Sequence, residues 1–205
     1  MLPVVASLDW TQPALDRAQG FVKELAALDT TAPAYAPKFF SAHEWKSLRM
    51  IADLIIPKDE HSGSATDAKA PEFIDFMMMD KETSENSKTQ MRGCLAWMDN
   101  ESRRRFGVDF IAATDAQHRE ILDDVAYPKK AKPEMARGVA VFNRLRDSIA
   151  SAFYSSAMGW QDLRYIGNVF NPNWNGCPPA ATQKLGVSYD EYDASLKSQR
   201  TKRGA

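Results

Sequence analysis

Histidines are the first candidates for catalysis, because imidazole is the commonest general acid and base in enzymes. The sequence contains three, His43, His61 and His118. His43 and His118 each fall in the first turn of an amphipathic helical pattern, beside polar residues, so we predict a solvent-exposed imidazole at both positions. This leaves His61 as the histidine whose surroundings suggest chemistry.

His61 lies in an acidic segment, residues 57–70, with Asp59, Glu60 and Asp67. Carboxylates and an imidazole at this density could bind a cation, but the segment lacks the ligand register of a calcium-binding loop. Its fourteen residues show no period and are rich in Gly, Ser, Asp and Pro, which predicts a long loop. One hypothesis is therefore a stand-alone helical module that uses this loop for a cation or small ligand.

Motifs that would complete an active site are missing from the sequence. It has no glycine-rich dinucleotide or phosphate loop and no nucleophile elbow, which argues against a phosphate or flavin site. Two cysteines, outside any C-x-x-C pattern, are too few for a zinc site, covalent haem or the usual iron–sulfur ligands. We therefore predict no catalytic residue, no cofactor site and no metal site, and a protein that is not itself an enzyme.

The segment Tyr165–Pro179, YIGNVFNPNWNGCPP, combines aromatic rings with Gly, Pro and Asn. This composition predicts an irregular loop and not a helix or a central strand. Its aromatic residues would either seal the bottom of a helical core or form a docking surface for another protein, and both interpretations remain open at this stage. The residues predicted for a partner interface are Trp160, Tyr165, Gly167, Asn168, Trp174, Gly176 and Cys177.

Cys177 has three possible states: a free thiol, a disulfide with Cys94, or a disulfide with another protein. Helical spacing places Cys94 on an apolar helix face, so we predict that it is buried. A disulfide within the chain would require the two Cα atoms to lie within about 7 Å, which the sequence does not establish. If Cys94 remains a core thiol, Cys177 is available for an interchain bond.

Apolar residues recur at helical intervals along most of the chain, which predicts an all-α fold of about six helices in one domain. Capping boxes at Ser41 and Thr114, and Gly107 as a C-terminal cap, mark helix ends. We expect the longest helix to begin at Pro133, end near Gly159 and form the central spine. Predicted helices begin near positions 14, 41, 71, 90, 114 and 133.

The chain has 205 residues, 44% of them apolar, and a net charge of −1. This predicts one domain over residues 1–205, with a core at about 14–187 and a flexible tail at 188–205. The balanced charge argues against nucleic acid or an anionic membrane as a partner. No apolar run reaches the length of about 18 residues needed to cross a bilayer. The opening MLPVVASLDW would fit either a trimmed signal or an initiator Met before native sequence.

Three sequence blocks resemble the gluconate 2-dehydrogenase subunit 3 family, the small or gamma subunits of flavin-dependent sugar and sugar-acid dehydrogenases. They are FFSAHEW followed by LRMIADLIIPKDEHSGSATDAKAPEFIDF, RGCLAWMD, and GWQDLRYIGNVFNPNWNGCPP. The resemblance covers most of residues 39–187.

The resemblance implies an accessory role beside a catalytic flavoprotein of the glucose–methanol–choline (GMC) oxidoreductase type. It implies FAD, and allows an iron–sulfur cluster, in that partner, with haem c in a multihaem cytochrome that accepts the electrons. It also implies a periplasmic location, at the inner-membrane surface through partner subunits, after twin-arginine export. This sequence departs from that pattern because no twin-arginine signal is visible at its start. The sugar and the oxidised carbon would be set by the partner.

Overall fold

The computed structural model describes residues 10–27, 35–165, 167 and 176–189. The chain divides into two compact units, Met1–Tyr165 and Ile166–Ala205. The described residues contain helices and no strand, which confirms the all-α prediction. That residues 1–205 form one domain stays a prediction.

Eight α-helices lie in the described part of the chain, the six long ones expected from the sequence and two short ones. One 3-10 turn follows α4 and another precedes α6. The α-helices are α1 Gln12–Ala27, α2 Ala42–Ile55, α3 Ala70–Met79, α4 Glu85–Phe106, α5 Asp115–Ala126, α6 Ala136–Tyr154, α7 Ala157–Asp162 and α8 Pro179–Leu185, and the 3-10 turns are Phe110–Ala112 and Pro133–Met135.

Helix ends follow local sequence signals closely. Ser41 and Glu44 form a reciprocal capping box at α2, and Thr114 and Gln117 form another at α5, as predicted. Gly107 caps α4 with a φ of 76°, in the left-handed region that glycine tolerates best. All three predictions are confirmed. Each cap depends only on residues within one helical turn, which is why the sequence alone could predict it.

The prediction for the longest helix is wrong in two respects. Ser84 accepts a hydrogen bond from the Ser87 amide and starts α4 at Glu85, so α4 has 22 residues against 19 in α6. Pro133 lies in the 3-10 turn that precedes α6, not in the α-helix itself. The central position of α6 is confirmed, since it packs against α2, α3, α4, α5 and α7.

The end of α6 also differs from the prediction, and the difference creates a new element. The Ser156 hydroxyl donates to the Phe153 carbonyl at 2.6 Å and accepts from the Gly159 amide at 3.1 Å. This Ser residue therefore ends one helix turn and caps the next, so that α6 stops at Tyr154 and α7 begins at Ala157. The result is a short helix at one end of the first unit.

Candidate functional site

Four large apolar side chains are exposed around α7, and we call them the aromatic end: Tyr154, Trp160, Leu163 and Tyr165. Their exposed fractions run from 38% at Tyr154 to 58% at Leu163. The Trp160 and Tyr165 rings meet edge to face, with centroids 6.0 Å apart. The described residues thus leave a contiguous aromatic pair in contact with solvent, which is typical of a surface that contacts another molecule.

The turn after α7 brings the two rings together. The Tyr165 amide donates to the Trp160 carbonyl at 2.8 Å, and the Arg164 amide donates to the Gln161 carbonyl at 3.0 Å. These bonds, with Arg164 at a φ of 52°, form a Schellman motif. That motif commonly places the residue after the left-handed position against the residue five before it, which here pairs Tyr165 with Trp160.

Gly159 sets the position of α7 relative to the end of α6. A Cβ at this residue would lie 2.2 Å from the Phe153 carbonyl oxygen and 2.7 Å from the Tyr154 Cα. No side chain fits there without a backbone shift, so the close approach requires glycine. Gly159 therefore fixes the backbone from which Trp160 projects.

Trp160 and Tyr165 do not seal the core within the described residues, because both remain about half exposed. In the second unit, Gly167 and Gly176 have φ angles of 76° and 89°, and a Cβ at Gly176 would lie 2.9 Å from the Tyr189 ring. Asn168 and Trp174, also predicted for the interface, lie outside the described residues. The interface role of all these residues stays a prediction.

The two cysteines have different environments. Cys94 is buried, as predicted, and burial raises the pKa of its thiol to about 11. Cys177 is exposed, and its backbone amide donates to the Tyr189 hydroxyl at 2.9 Å. Neither cysteine forms a disulfide within the chain. Cys177 is therefore the more accessible thiol.

The acidic loop at 57–70 uses its carboxylates to hold its own backbone. Asp59 accepts from the His61 and Ser62 amides at 2.8 Å, and these bonds lower the pKa of Asp59. Asp67 accepts from the Ser64 amide at 2.9 Å, and Asp53 of α2 accepts from the amide and hydroxyl of Thr66. Among the described residues, no three His, Cys, Asp or Glu side chains are grouped so that they could hold a metal ion. The geometry therefore gives the cation-binding hypothesis no support.

The histidine predictions are only partly met. The prediction of an exposed imidazole is wrong for His118, which is buried. Its Nε2 lies 2.7 Å from the carbonyl oxygen of Phe110, in the 3-10 turn that follows α4, and this contact holds the ring inside. His43 is partly exposed, and its Nε2 lies 2.6 Å from Asp99 Oδ2. Neither imidazole lies beside a nucleophile in these contacts, so the geometry indicates a structural role for both.

Four acidic residues are buried, and none of them was singled out from the sequence: Glu72, Asp75, Asp99 and Glu101. Glu72 accepts from Arg49 at 3.2 Å through one oxygen only, and burial raises its pKa. We call the other three the interior carboxylates. Asp75 accepts from the Tyr35 hydroxyl and from the backbone amides of Lys38, Phe39 and Phe40, at 2.7–3.2 Å. Burial and the Asp75 carboxylate raise the pKa of Tyr35. Asp75 thus fixes the segment before α2 onto α3.

Asp99 and Glu101 make similar internal connections from α4. Asp99 accepts from the Phe110 amide at 3.0 Å as well as contacting His43. Glu101 accepts from Arg104 and Arg105, at 2.6–2.9 Å. These carboxylates are occupied by groups of the chain itself, so none is positioned as a general base.

In the described part of the chain, no helix combines the length and the apolarity required to cross a bilayer. The sequence model of the family described as gluconate 2-dehydrogenase subunit 3 matches residues 42–172, more than half of the chain. The match spans α2 to α7 and includes the aromatic end. No curated protein and no solved structure gives a match. The chain therefore belongs to the gluconate 2-dehydrogenase subunit 3 family, whose members are subunits of a dehydrogenase complex.

Proposed function

We propose that this chain is the non-catalytic small subunit that binds and stabilises a GMC-type, FAD-dependent catalytic subunit. The observation that carries the proposal is the aromatic end, a half-exposed aromatic pair inside the segment that matches the family. Exposed Trp and Tyr side chains supply much of the binding energy at protein interfaces. The interior carboxylates, by contrast, are occupied within the chain.

The proposal also assigns the rest of the complex. The catalytic partner would bind FAD and oxidise a sugar, sugar acid or glycoside. The proposal also allows an iron–sulfur cluster in that partner. Electrons would pass to the haem c groups of a multihaem cytochrome. The complex would lie in the periplasm, at the inner-membrane surface, after twin-arginine export aided by this subunit. These assignments follow from the sequence resemblance to the family, and they concern partner subunits and not residues of this chain. The family match itself supports membership in a dehydrogenase complex.

The aromatic end suits an interface energetically. Its rings are already paired edge to face, and the turn that pairs them is held by backbone hydrogen bonds, so little side-chain entropy remains to be lost on binding. Complete burial of Trp160 and Tyr165 against a partner would contribute a few kcal/mol each, about 2–4 kcal/mol at a well-packed centre.

The test is co-expression with the GMC-type flavoprotein expected to be encoded beside this chain. In a Trp160→Ala, Tyr165→Ala double variant, we expect the dissociation constant to rise at least about 100-fold, with the melting temperature of the free subunit nearly unchanged. Tyr127→Ala is the matched control, because Tyr127 is an equally exposed Tyr at the end of α5. Undiminished association of the double variant would remove the aromatic end from the interface.

Trp174 needs a separate variant because it lies outside the described residues. Trp174→Ala in the same assay would establish whether the predicted second anchor adds to the aromatic end. Turnover of gluconate or glucose by this chain alone, supplied with FAD and an electron acceptor, would contradict the non-catalytic assignment.

The exposed Cys177 extends the proposal to an interchain disulfide, which an oxidising compartment would permit. The complex purified without reductant should then migrate as a covalent pair in denaturing electrophoresis, and Cys177→Ser should abolish that band. Migration of only the separate subunits would rule out the interchain disulfide and would leave the proposal of a non-covalent interface unchanged.

A further inference from the structure

A groove of about 830 Å³ lies beside α1 in the first unit, and we call it the α1 groove. Its lining comes from one face of α1, from residues 67–69 before α3, and from residues 155–161 at the junction of α6 and α7. The lining is mainly apolar, with Val22, Ala26, Ala68 and Met158 among its side chains. An apolar groove along a surface helix is the geometry that receives amphipathic helices.

Four charged residues line the α1 groove, and the two on α1 define a direction. Asp67 and Lys69, of opposite sign, lie two residues apart before α3, and Asp67 already accepts from the Ser64 amide. Asp16 and Lys23 are seven residues apart on α1, which places them about 10 Å apart along the axis. The helix dipole favours acidic side chains in the first turn of a helix and basic ones in the last. A helix antiparallel to α1 would therefore bring its basic end to Asp16 and its acidic end to Lys23, whereas a parallel helix would oppose like charges.

Gly20 leaves space for the occupant. A Cβ built at this residue would have no neighbouring atom within 4 Å, although Gly20 lies in the middle of α1 and lines the groove. A residue that costs helix stability and packs against nothing within the described chain leaves room for an incoming side chain.

The α1 groove is continuous with the aromatic end through Trp160, which belongs to both. A partner that covers Trp160 thereby reaches the groove. We propose that the α1 groove binds one amphipathic helix of the catalytic partner, antiparallel to α1, with a large apolar side chain over Gly20. This inference rests on the proposed function and identifies the element of the partner that the site receives.

The experiment compares two helical glycines in the complex of the full chain with the co-expressed flavoprotein. Gly20→Trp fills the groove, and Gly93→Trp places the same side chain in open space on α4, since a Cβ at Gly93 also meets nothing within 4 Å. Both replacements should preserve folding, because Trp has a higher helix propensity than Gly. We expect Gly20→Trp to weaken association at least about tenfold and Gly93→Trp to change it less than about twofold.

A charge exchange tests the direction. The double variant Asp16→Lys, Lys23→Asp keeps the net charge and reverses the order of charges along α1. It should weaken association about threefold to tenfold, with the loss reduced at high salt. An equal or stronger affinity would overturn the antiparallel arrangement.

A cross-linker identifies the occupant. A benzophenone label on an Ala26→Cys, Cys177→Ser variant should join the chain to a flavoprotein segment with a helical apolar period. A cross-link between two copies of this chain, or a small molecule held by the wild-type subunit and lost in Gly20→Trp, would overturn the proposal in favour of that occupant.

The two proposals can fail separately. If the Trp160→Ala, Tyr165→Ala variant loses the partner and Gly20→Trp retains full affinity, the groove proposal is overturned and the proposed function stands. If the wild-type chain does not associate with the flavoprotein, both are overturned.

Discussion

The interior carboxylates and the aromatic end lie in the same unit but place their side chains in opposite environments. Asp75 is fully buried and accepts four hydrogen bonds from residues 35–40, whereas Trp160 and Tyr165 leave about half of their surfaces in solvent. A buried polar group is stable only where polar partners satisfy it, while the exposed half of an aromatic ring gains nothing from the fold. The carboxylates therefore stabilise the fold, whereas the aromatic end is exposed where the proposed partner would bind.

This contrast also explains why acidic residues are poor guides to function in this chain. Asp59, Asp67, Asp75 and Asp99 all accept backbone amides and thereby stabilise turns or helix connections. A carboxylate whose oxygens already accept backbone amides is occupied by the fold and is not free to act on a substrate. Variants that remove either kind of residue should separate stability from association.

The largest loss of stability should follow Asp75→Ala. It leaves three backbone amides and the Tyr35 hydroxyl without their acceptor in a buried site, which should cost about 3–5 kcal/mol in the free energy of unfolding. Urea denaturation of the purified chain measures this loss. Asp75→Asn retains one acceptor oxygen and should lose less.

Asp59→Ala is the control for Asp75→Ala, because Asp59 accepts two backbone amides, against three at Asp75, but is exposed. Water can replace its hydrogen bonds, so the loss should be far smaller. Similar losses in the two variants would contradict the assignment of Asp75 as a buried anchor.

Gly159→Ala should have the next largest effect. Its Cβ would overlap the Phe153 carbonyl oxygen, so α7 must shift, at a cost of about 2–4 kcal/mol. Gly93→Ala on α4 should instead stabilise the chain by about 0.5–1 kcal/mol, because its Cβ has open space and Ala favours helix. Thermal unfolding of both variants measures the difference.

Gly159→Ala also links the two regions. A shift of α7 displaces Trp160, so association with the flavoprotein should weaken together with stability. Unchanged affinity in a destabilised Gly159→Ala variant would mean that the position of α7 does not matter for the interface.

Glu101 should give the chain a contribution to stability that depends on pH. Hydrogen bonds from Arg104 and then Arg105 lower the pKa of Glu101 from 4.5 to about 2. Because the folded pKa is the lower one, the stabilisation is complete above about pH 4.5 and is lost as pH falls towards 2. Solvent screening at the exposed Arg104 limits the contribution of the Glu101 charge to the free energy of unfolding to about 1 kcal/mol.

Glu101→Gln isolates this contribution from the other carboxylates. The variant should be less stable than the wild type at neutral pH, and the two unfolding free energies should converge near pH 2. A difference that stays constant between pH 6 and pH 2 would contradict the role of the Glu101 charge.

The helices were predictable because their signals are local. The capping boxes at Ser41 and Thr114 and the terminal Gly107 each involve residues within one turn, and all three occur in the structure. The interior carboxylates carry no comparable signal. Asp75 bonds residues 35 to 40 positions earlier, and Asp99 meets His43 across 56 positions, so their partners depend on how the helices pack.

The aromatic end was predictable in composition but not in geometry. Its Trp and Tyr stood out in the sequence, yet α7 and the turn after it did not, because the Schellman motif here has Arg164 where glycine is usual. Glycine at this position would have marked the end of a helix. The pairing of Trp160 with Tyr165 therefore appears only in the structure.

Arg164→Gly should produce the smallest effect, and it should be a gain. A side chain at a φ of 52° is strained, and glycine relieves that strain, although it also gives the unfolded chain more freedom. The net increase in the free energy of unfolding should be about 0.5 kcal/mol, with the affinity for the flavoprotein unchanged because the Trp160–Tyr165 pair keeps its backbone bonds. Chemical denaturation and the association assay measure the two quantities on one variant. A gain in stability with a loss of affinity would show that the Arg164 side chain belongs to the interface, extending the aromatic end by a charged residue.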